Sequence, residues 1–432
     1  MSNQAKHQVR GMDVQRYAHR MHGFGTTIFS EMTMLAVQHQ AINLGQGFPD
    51  FAGPEWVKQA AIAAIAADHN QYAPTSGVPR LRAAIAAEWE RRGWRIIDPD
   101  TEITITSGAT EALYAAMQAL VNPGDEVICF EPFYDAYVPD ILLAGGVPRF
   151  VCLHPPVVAA NTSVASLYSG DWWFDPAGLA AAFTPRTRII LVNTPHNPTG
   201  KVFHRDELQQ IAQLCQQYDV IAVCDEVYDH LVYDGREHLP LATLPGMWQR
   251  TLTINSTGKT FSLTGWKIGY VVGPPHLMRA LRQAHQWITF ASATPLQEAL
   301  ATAFEQAAHN GYYAELRADY VARRDLLAEV LRVAGLPALP VAGSYFLLAD
   351  IGGTGFTDDV AFCRWLTSEI GVAAIPPSAF YARAYGLETV AHDRPLLARF
   401  CFAKRLETIQ AAGDRLRALP TLTAPRPGVS AQ

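Results

Sequence analysis

Between about residues 54 and 300, short apolar runs alternate with longer stretches in which apolar positions return every three or four residues. The runs predict strands over 102–106, 126–130, 147–152, 188–193, 220–224, 251–255 and 267–272. Between them the pattern predicts amphipathic helices, clearest over 110–121, 205–218 and 276–287. The runs Ile189-Ile-Leu-Val192 and Val220-Ile-Ala-Val-Cys224 are apolar throughout and do not alternate. Strands of that kind need helices on both faces, so the pattern predicts an α/β class with a mainly parallel sheet.

After a helix-rich stretch at 294–334 the rhythm changes. Strands at 344–351 and 398–402 around a helix at 358–370 predict a smaller α+β unit, with the N-terminal fifty residues packed onto it. The expected organisation is a large domain over 54–300 and a small domain from 1–53 and 301–420. The insert 155–170 has no clear period and is expected to be a surface loop. The Pro- and Ala-rich segment 421–432 is expected to be a mobile tail.

Composition narrows the classes. The chain has 432 residues, enough for two domains, with 49% hydrophobic and 17% charged residues, which excludes a disordered chain. A net charge of −6 gives no electrostatic reason to expect nucleic acid or an anionic membrane as a partner. No apolar stretch is long enough to cross a bilayer, and the polar start has no hydrophobic core of a signal peptide, so a cytoplasmic location is expected. The six cysteines (Cys129, Cys152, Cys215, Cys224, Cys363 and Cys401) form no CxxC pair, and the histidines form no HExxH cluster. Free thiols and no metal are therefore expected.

Candidate chemistry gathers where the predicted strands end. Lys259, in Ser256-Thr-Gly-Lys259, follows the run 251–255 and has small, hydroxylic neighbours that leave room for a flat ring. A lysine amine kept partly unprotonated there can form a Schiff base with a carbonyl cofactor. The turn Ser107-Gly108-Ala109-Thr110 opens a helix, where free N–H groups and the helix dipole suit a phosphate; it serves equally as a plain βα turn with Thr110 as N-cap. It matches neither GxGxxG nor GxxxxGK[ST], so dinucleotide and nucleotide-triphosphate binding lack their fingerprints. Asp225, ending an apolar strand three residues before Tyr228, is placed to meet a ligand at the sheet edge or to cap the next helix. Asn193-Thr-Pro-His-Asn197-Pro-Thr-Gly200 forms a stiff polar loop at the same edge, and also reads as a plain turn sequence. Arg399, inside an apolar strand pattern, is expected to face solvent or pair with an acid, and its guanidinium suits a carboxylate.

The order of these pieces resembles the fold-type I pyridoxal-phosphate enzymes of the class I/II aminotransferase family. The resemblance runs from Ile42 to the Arg399 strand. It is carried by Gly45-Gln-Gly-Phe-Pro-Asp50, Gln71-Tyr-Ala-Pro74, Ser107-Gly-Ala-Thr-Glu111, Glu131-Pro-Phe-Tyr134, the NTPHNPTG loop, Cys224-Asp-Glu-Val-Tyr228, Gly258-Lys-Thr-Phe-Ser-Leu-Thr-Gly-Trp-Lys267 and Arg399-Phe-Cys-Phe-Ala-Lys404. Within the family it looks most like the methionine, glutamine and kynurenine branch. Gly25-Thr-Thr-Ile-Phe29 and Gln38-His-Gln40 look closest to the bacterial methionine enzymes. No tryptophan stands between Phe24 and Met32, where the kynurenine branch carries one, which argues against kynurenine as main substrate.

The resemblance implies a seven-stranded, mainly parallel sheet between helices, pyridoxal 5′-phosphate as cofactor, and ping-pong transfer from an amino acid to a 2-oxo acid. It makes Lys259 the Schiff-base lysine and acid/base. Asp225 pairs with the ring nitrogen, Asn197 and Tyr228 bond its phenolic oxygen, and Phe133 stacks on its face. Gly108, Ala109, Thr110, Ser256 and Lys267 hold the phosphate, joined by Tyr72 from the other subunit of a homodimer. Arg399, Asn197 and the Gly47 backbone hold the α-carboxylate, and Phe290 lines the neighbouring subunit's pocket. Out of context, Phe133 and Phe290 read as core aromatics, Lys267 as a surface lysine and Tyr72 as a packing residue. The same cofactor also permits a second reaction, a carbon–sulfur β-lyase releasing pyruvate. An aminotransferase-like regulator is disfavoured because fewer than about fifty residues, too few for a winged helix, precede the Gly45–Asp50 segment.

Overall fold

The computed structural model describes residues 17–158, 168–391 and 394–419. Its central sheet uses β1 (Ile103–Thr106), β2 (Glu126–Glu131), β3 (Val147–His154), β4 (Thr187–Asn193), β5 (Ile221–Asp225), β6 (Thr251–Ser256) and β7 (Gly269–Val272). They lie in the order β1-β7-β6-β5-β4-β2-β3, and a two-residue edge strand, Trp173–Phe174, adds an eighth position beside β3. β7 runs antiparallel to both its neighbours, while β6, β5, β4, β2 and β3 pair in parallel. Six of the seven principal strands thus point the same way and end at one edge.

The continuous apolar runs become intelligible here. Along β2, Val127 and Cys129 pack with Ala112, Leu113 and Met117 on one face, whereas Ile128 and Phe130 pack with Leu208 and Ile211 on the other. Successive strand side chains point to opposite faces, so a sheet covered twice needs apolar residues at every position. Each fully buried Leu, Ile or Phe contributes about 1.5–3 kcal/mol relative to its exposed state. The covering helices Gly108–Leu120 and Pro275–Ile288 pack against each other, and Thr294–Ala307 packs against Glu55–Ala66 and Pro79–Arg91.

The remaining strands make small pairings. β8 (Phe346–Asp350) is antiparallel to β9 (Leu397–Cys401), and Ile42–Asn43 lies parallel to Val372–Ala373, tying the N-terminal segment to the C-terminal one. One apolar cluster joins Val227 and Tyr228, just past β5, to Phe346 of β8 and Phe400 of β9. The sheet edge and β9 are therefore held together by a shared core.

One local expectation gains detail and another changes. The insert expected to be a surface loop is closed by a short ladder, Val157–Val158 against Tyr168–Ser169, too short to leave a readable period. Its residues 159–167, like the expected tail 421–432, lie outside the described residues. The helix after β1 starts at Gly108 with Ser107 at the cap position, which puts Thr110 inside its first turn and not at the N-cap. Among the described residues no helix is long and apolar enough to cross a membrane, and no cluster of three His, Cys, Asp or Glu side chains could hold a metal. The six cysteines are free, and five of them are buried.

Candidate active site

A cleft of about 330 Å³ opens at the edge where β1, β4, β5 and β6 end, and Phe346 and Arg399 close it from β8 and β9. Of the fourteen residues singled out in the sequence, eleven line it: Gly47, Gly108, Ala109, Thr110, Asn197, Asp225, Tyr228, Ser256, Lys259, Lys267 and Arg399.

Lys259 sits in the single turn Thr257–Thr260 that follows β6. Its Nζ donates to the Tyr345 hydroxyl at 2.7 Å, and that hydroxyl donates to the Gly47 carbonyl. Burial pushes the amine down to about 8. A buried ammonium is disfavoured, so a sizeable share of the free amine exists near neutral pH, as a nucleophile or proton carrier requires.

Asp225 closes β5, with one carboxylate oxygen accepting the Tyr137 hydroxyl at 2.7 Å and the other facing the Val227 N–H at 3.4 Å. Burial raises its carboxyl to about 6 while the Tyr137 bond draws it down, so it is ionised at pH 7.5. The next helix that it might have capped is absent; a turn follows. Asn193, at the end of β4, braces the two loops: its amide donates to the Asp225 carbonyl at 2.8 Å, and its oxygen accepts the Asn197 N–H at 2.7 Å. Tyr228 is buried, which drives its hydroxyl well above the ordinary value.

At the opposite end, the helix that starts at Gly108 has no side chain capping its first turn. Its backbone donors therefore remain available to an anion. Lys267 reaches the same turn, its Nζ 3.4 Å from Thr110 Oγ1, and Ser256 lines the wall beside it. Gly269 makes this approach possible, because a Cβ there would stand 2.5 Å from the Gly108 carbonyl carbon and 2.6 Å from the Ala109 nitrogen.

Arg399 departs from expectation. It neither faces solvent nor pairs with an acid: it is 1% exposed, donating to Asn197 Oδ1 at 2.8 Å and to the Gly45 carbonyl at 3.0 Å. Its guanidinium carbon lies 4.0 Å from the Phe346 ring centroid and 4.9 Å from that of Phe380. Neutral partners and ring faces make the burial tolerable, yet burial still pushes the group down to about 10, and its Nε has no partner. A desolvated cation with an idle donor is a seat for an anion.

Phe133 is the second correction. It is fully buried in the core, 5.6 Å from Phe150 in a stacked arrangement, and does not line the cleft; Tyr134 does. The segment lies past the end of β2, between a bend and a turn, and there a one-residue error moves the aromatic from core to cleft. Tyr72 and Phe290 also lie away from this chain's cleft. They meet edge to face on the surface, ring centroids 5.4 Å apart, and are 86% and 45% exposed.

The residues fit pyridoxal phosphate. The anion cradle at Gly108–Thr110, the amine of Lys259 and the carboxylate of Asp225 border one cleft, with the aromatic Tyr134 in its wall. Tyr345, Tyr137 and Gly269 escaped the sequence reading because each acts through a neighbour and none was marked by a motif, whereas Asn193 stood in the NTPHNPTG loop without a role of its own. A lone glycine inside the predicted strand 267–272 was the one signal that could have found Gly269.

Comparison with known proteins gives the same direction. The family model described as aminotransferase class I and II matches residues 39–415. Methionine aminotransferase of Escherichia coli (strain K12) is 42% identical over 91% of this chain and 96% of its own length. Kynurenine–oxoglutarate transaminase 1 of Homo sapiens is 41% identical over 94% and 99%. Among solved structures, N-succinyldiaminopimelate aminotransferase from Mycobacterium tuberculosis superposes with a TM-score of 0.85 at 42% identity, covering 93% of this chain and 100% of that one.

Proposed function

As the chain belongs to the aminotransferase class I and II family, whose members depend on pyridoxal 5′-phosphate, we propose that it takes the amino group from an apolar or neutral amino acid. Methionine, glutamine and aromatic amino acids are the candidate donors, and a 2-oxo acid is the acceptor. The observation that carries this reading is the buried Arg399, hydrogen-bonded only to neutral acceptors, in the same cleft as the Lys259 amine. The two supply a carboxylate anchor and a nitrogen base for one small molecule.

Bound pyridoxal phosphate supplies an aldehyde that condenses with amines and a ring that spreads the negative charge left when a Cα–H bond breaks. The first turn of the helix Gly108–Leu120, with Lys267 and Ser256, would hold its phosphate. Asp225, kept ionised and oriented by Tyr137, would hold the ring nitrogen protonated. Asn197 and Tyr228 would bond the phenolic oxygen, and Tyr134 would cover a ring face. Arg399 binds the α-carboxylate of the amino acid through its free donor edge. That contact orients the Cα–H bond, and the Lys259 Nζ takes the proton from Cα as a free base. Phe29, Phe346 and Tyr134 give the cleft apolar walls that suit an uncharged side chain.

Our reading further includes a cytoplasmic homodimer in which Tyr72 and Phe290 of each chain complete the partner's cleft. It treats 54–300 and the pair 1–53 with 301–420 as two bodies that close on substrate. Two large aromatics left exposed and packed edge to face on the surface support a role for them against a partner subunit. The test is a half-reaction: holoprotein mixed with methionine, glutamine or phenylalanine and no oxo acid should change its cofactor absorbance and release the matching 2-oxo acid stoichiometrically. Continuous release of pyruvate and ammonia from a cysteine conjugate, without such a change from these donors, would overturn the reading.

A further inference from the structure

We propose that Glu111 and His285 are positioning residues for the phosphate seat at Gly108–Thr110. Together they take up the backbone N–H just ahead of the seat and keep its surroundings free of uncompensated negative charge. The inference rests on the reading that pyridoxal phosphate binds there, and adds to it a buried pair that does not line the cleft.

Glu111 stands in the first turn of the helix Gly108–Leu120, and its Oε2 reaches back to accept the Ser107 N–H at 2.6 Å. That bond fixes the residue at the cap position and leaves the N–H groups of the first turn to an anion. A bare carboxylate so placed would also do harm, because it competes with a phosphate for the positive end of the helix. His285 removes the conflict. It lies in the helix Pro275–Ile288 and is fully buried, its Nδ1 2.7 Å from Glu111 Oε1 and its Nε2 2.9 Å from the Thr75 carbonyl oxygen. A carbonyl only accepts, so Nε2 carries a hydrogen. The contact of Nδ1 with a carboxylate oxygen then needs a further proton, held on one atom or the other. Whichever atom holds it, the two side chains together carry no net charge. Lys267, 3.4 Å from Thr110 Oγ1, is then the charge that an anion meets at the first turn.

The test titrates apoprotein with pyridoxal phosphate and, separately, with pyridoxal, which lacks the phosphate, and follows the cofactor absorbance. His285→Leu leaves the Glu111 carboxylate without its counterpart. The dissociation constant for pyridoxal phosphate should then rise about tenfold or more, while that for pyridoxal stays within about threefold. Adding Glu111→Gln to His285→Leu should bring the value back to within about threefold of the original, because the charge is gone although the Thr75 carbonyl still lacks its donor. Glu111→Gln alone keeps all three hydrogen bonds, its amide donating to Nδ1, and should bind pyridoxal phosphate within about threefold of the original. Equal loss of both ligands in His285→Leu, loss of neither, or no recovery in the double variant overturns the assignment alone. So does a loss of about tenfold in Glu111→Gln, a readout that stands even if His285→Leu does not fold. An unaltered apoprotein that takes up neither ligand overturns the cofactor reading and this assignment together.

Discussion

Lys259 and Tyr345 meet across the seam between β6 and β8, the lysine Nζ donating to the phenol oxygen at 2.7 Å. The same phenol donates to the Gly47 carbonyl, so one hydroxyl ties the amine to the segment Gly45–Asp50. Tyr345→Phe leaves Gly47 without that donor and the amine without its acceptor. One net hydrogen bond contributes about 1 kcal/mol, so kcat/KM for the amino donor should fall about fivefold in steady-state assays. An unchanged value would show that the bridge has no part in turnover.

Arg399→Lys keeps a positive charge but loses the planar fork. Hydrogen bonds to charged groups contribute about 1.5–3 kcal/mol each, and lysine cannot make two in parallel. KM for every amino donor should rise on the order of 100-fold, with a smaller change in kcat. A KM within twofold of the original would remove Arg399 from the substrate site.

Asp225→Asn separates cofactor chemistry from stability. Burial raises the carboxyl from 3.8 to about 6, so the folded apoprotein binds this proton more tightly than the unfolded chain. The resulting stability is fully present below pH 3.8 and lost as pH rises through about 6, a swing of up to about 3 kcal/mol. The apoprotein of Asp225→Asn should lack that component: its melting temperature at pH 8 should equal or exceed the original, while kcat falls on the order of 100-fold or more. A lower melting temperature together with normal kcat would contradict both halves.

Gly269→Ala tests the phosphate cradle from behind. The new Cβ would overlap the Gly108 carbonyl carbon at 2.5 Å, so the start of the helix Gly108–Leu120 must shift. The cofactor dissociation constant, measured by titrating apoprotein with pyridoxal phosphate, should rise about tenfold or more. Unaltered cofactor affinity would mean that the first helical turn is not the anion seat.

The parts of this molecule legible in its sequence are those whose physics is local. The twice-covered strands had to be apolar through their centres, as Ile189–Val192 of β4 and Ile221–Cys224 of β5 are, and Asp225 and Lys259 declared themselves by following strand runs. Side-chain direction in irregular segments was not legible: Phe133 and Tyr134 are both aromatic, and only the backbone path decides which of them enters the cleft. The partners of Arg399 were hidden for another reason. Asn197 and Gly45 lie 202 and 354 residues away along the chain, and tertiary packing alone replaces the expected acid with two neutral acceptors and aromatic faces. Tyr137 and Tyr345 touch Asp225 and Lys259 from 88 and 86 residues away, beyond any local pattern.

The most direct test of the central claim is to treat holoprotein with borohydride, digest it and locate the reduced pyridoxyl group by mass spectrometry. The account predicts that the added mass lies on the peptide containing Lys259, at that lysine. A pyridoxyl group on Lys267 or another lysine with Lys259 unmodified, or no modified peptide from a protein saturated with pyridoxal phosphate, would contradict it.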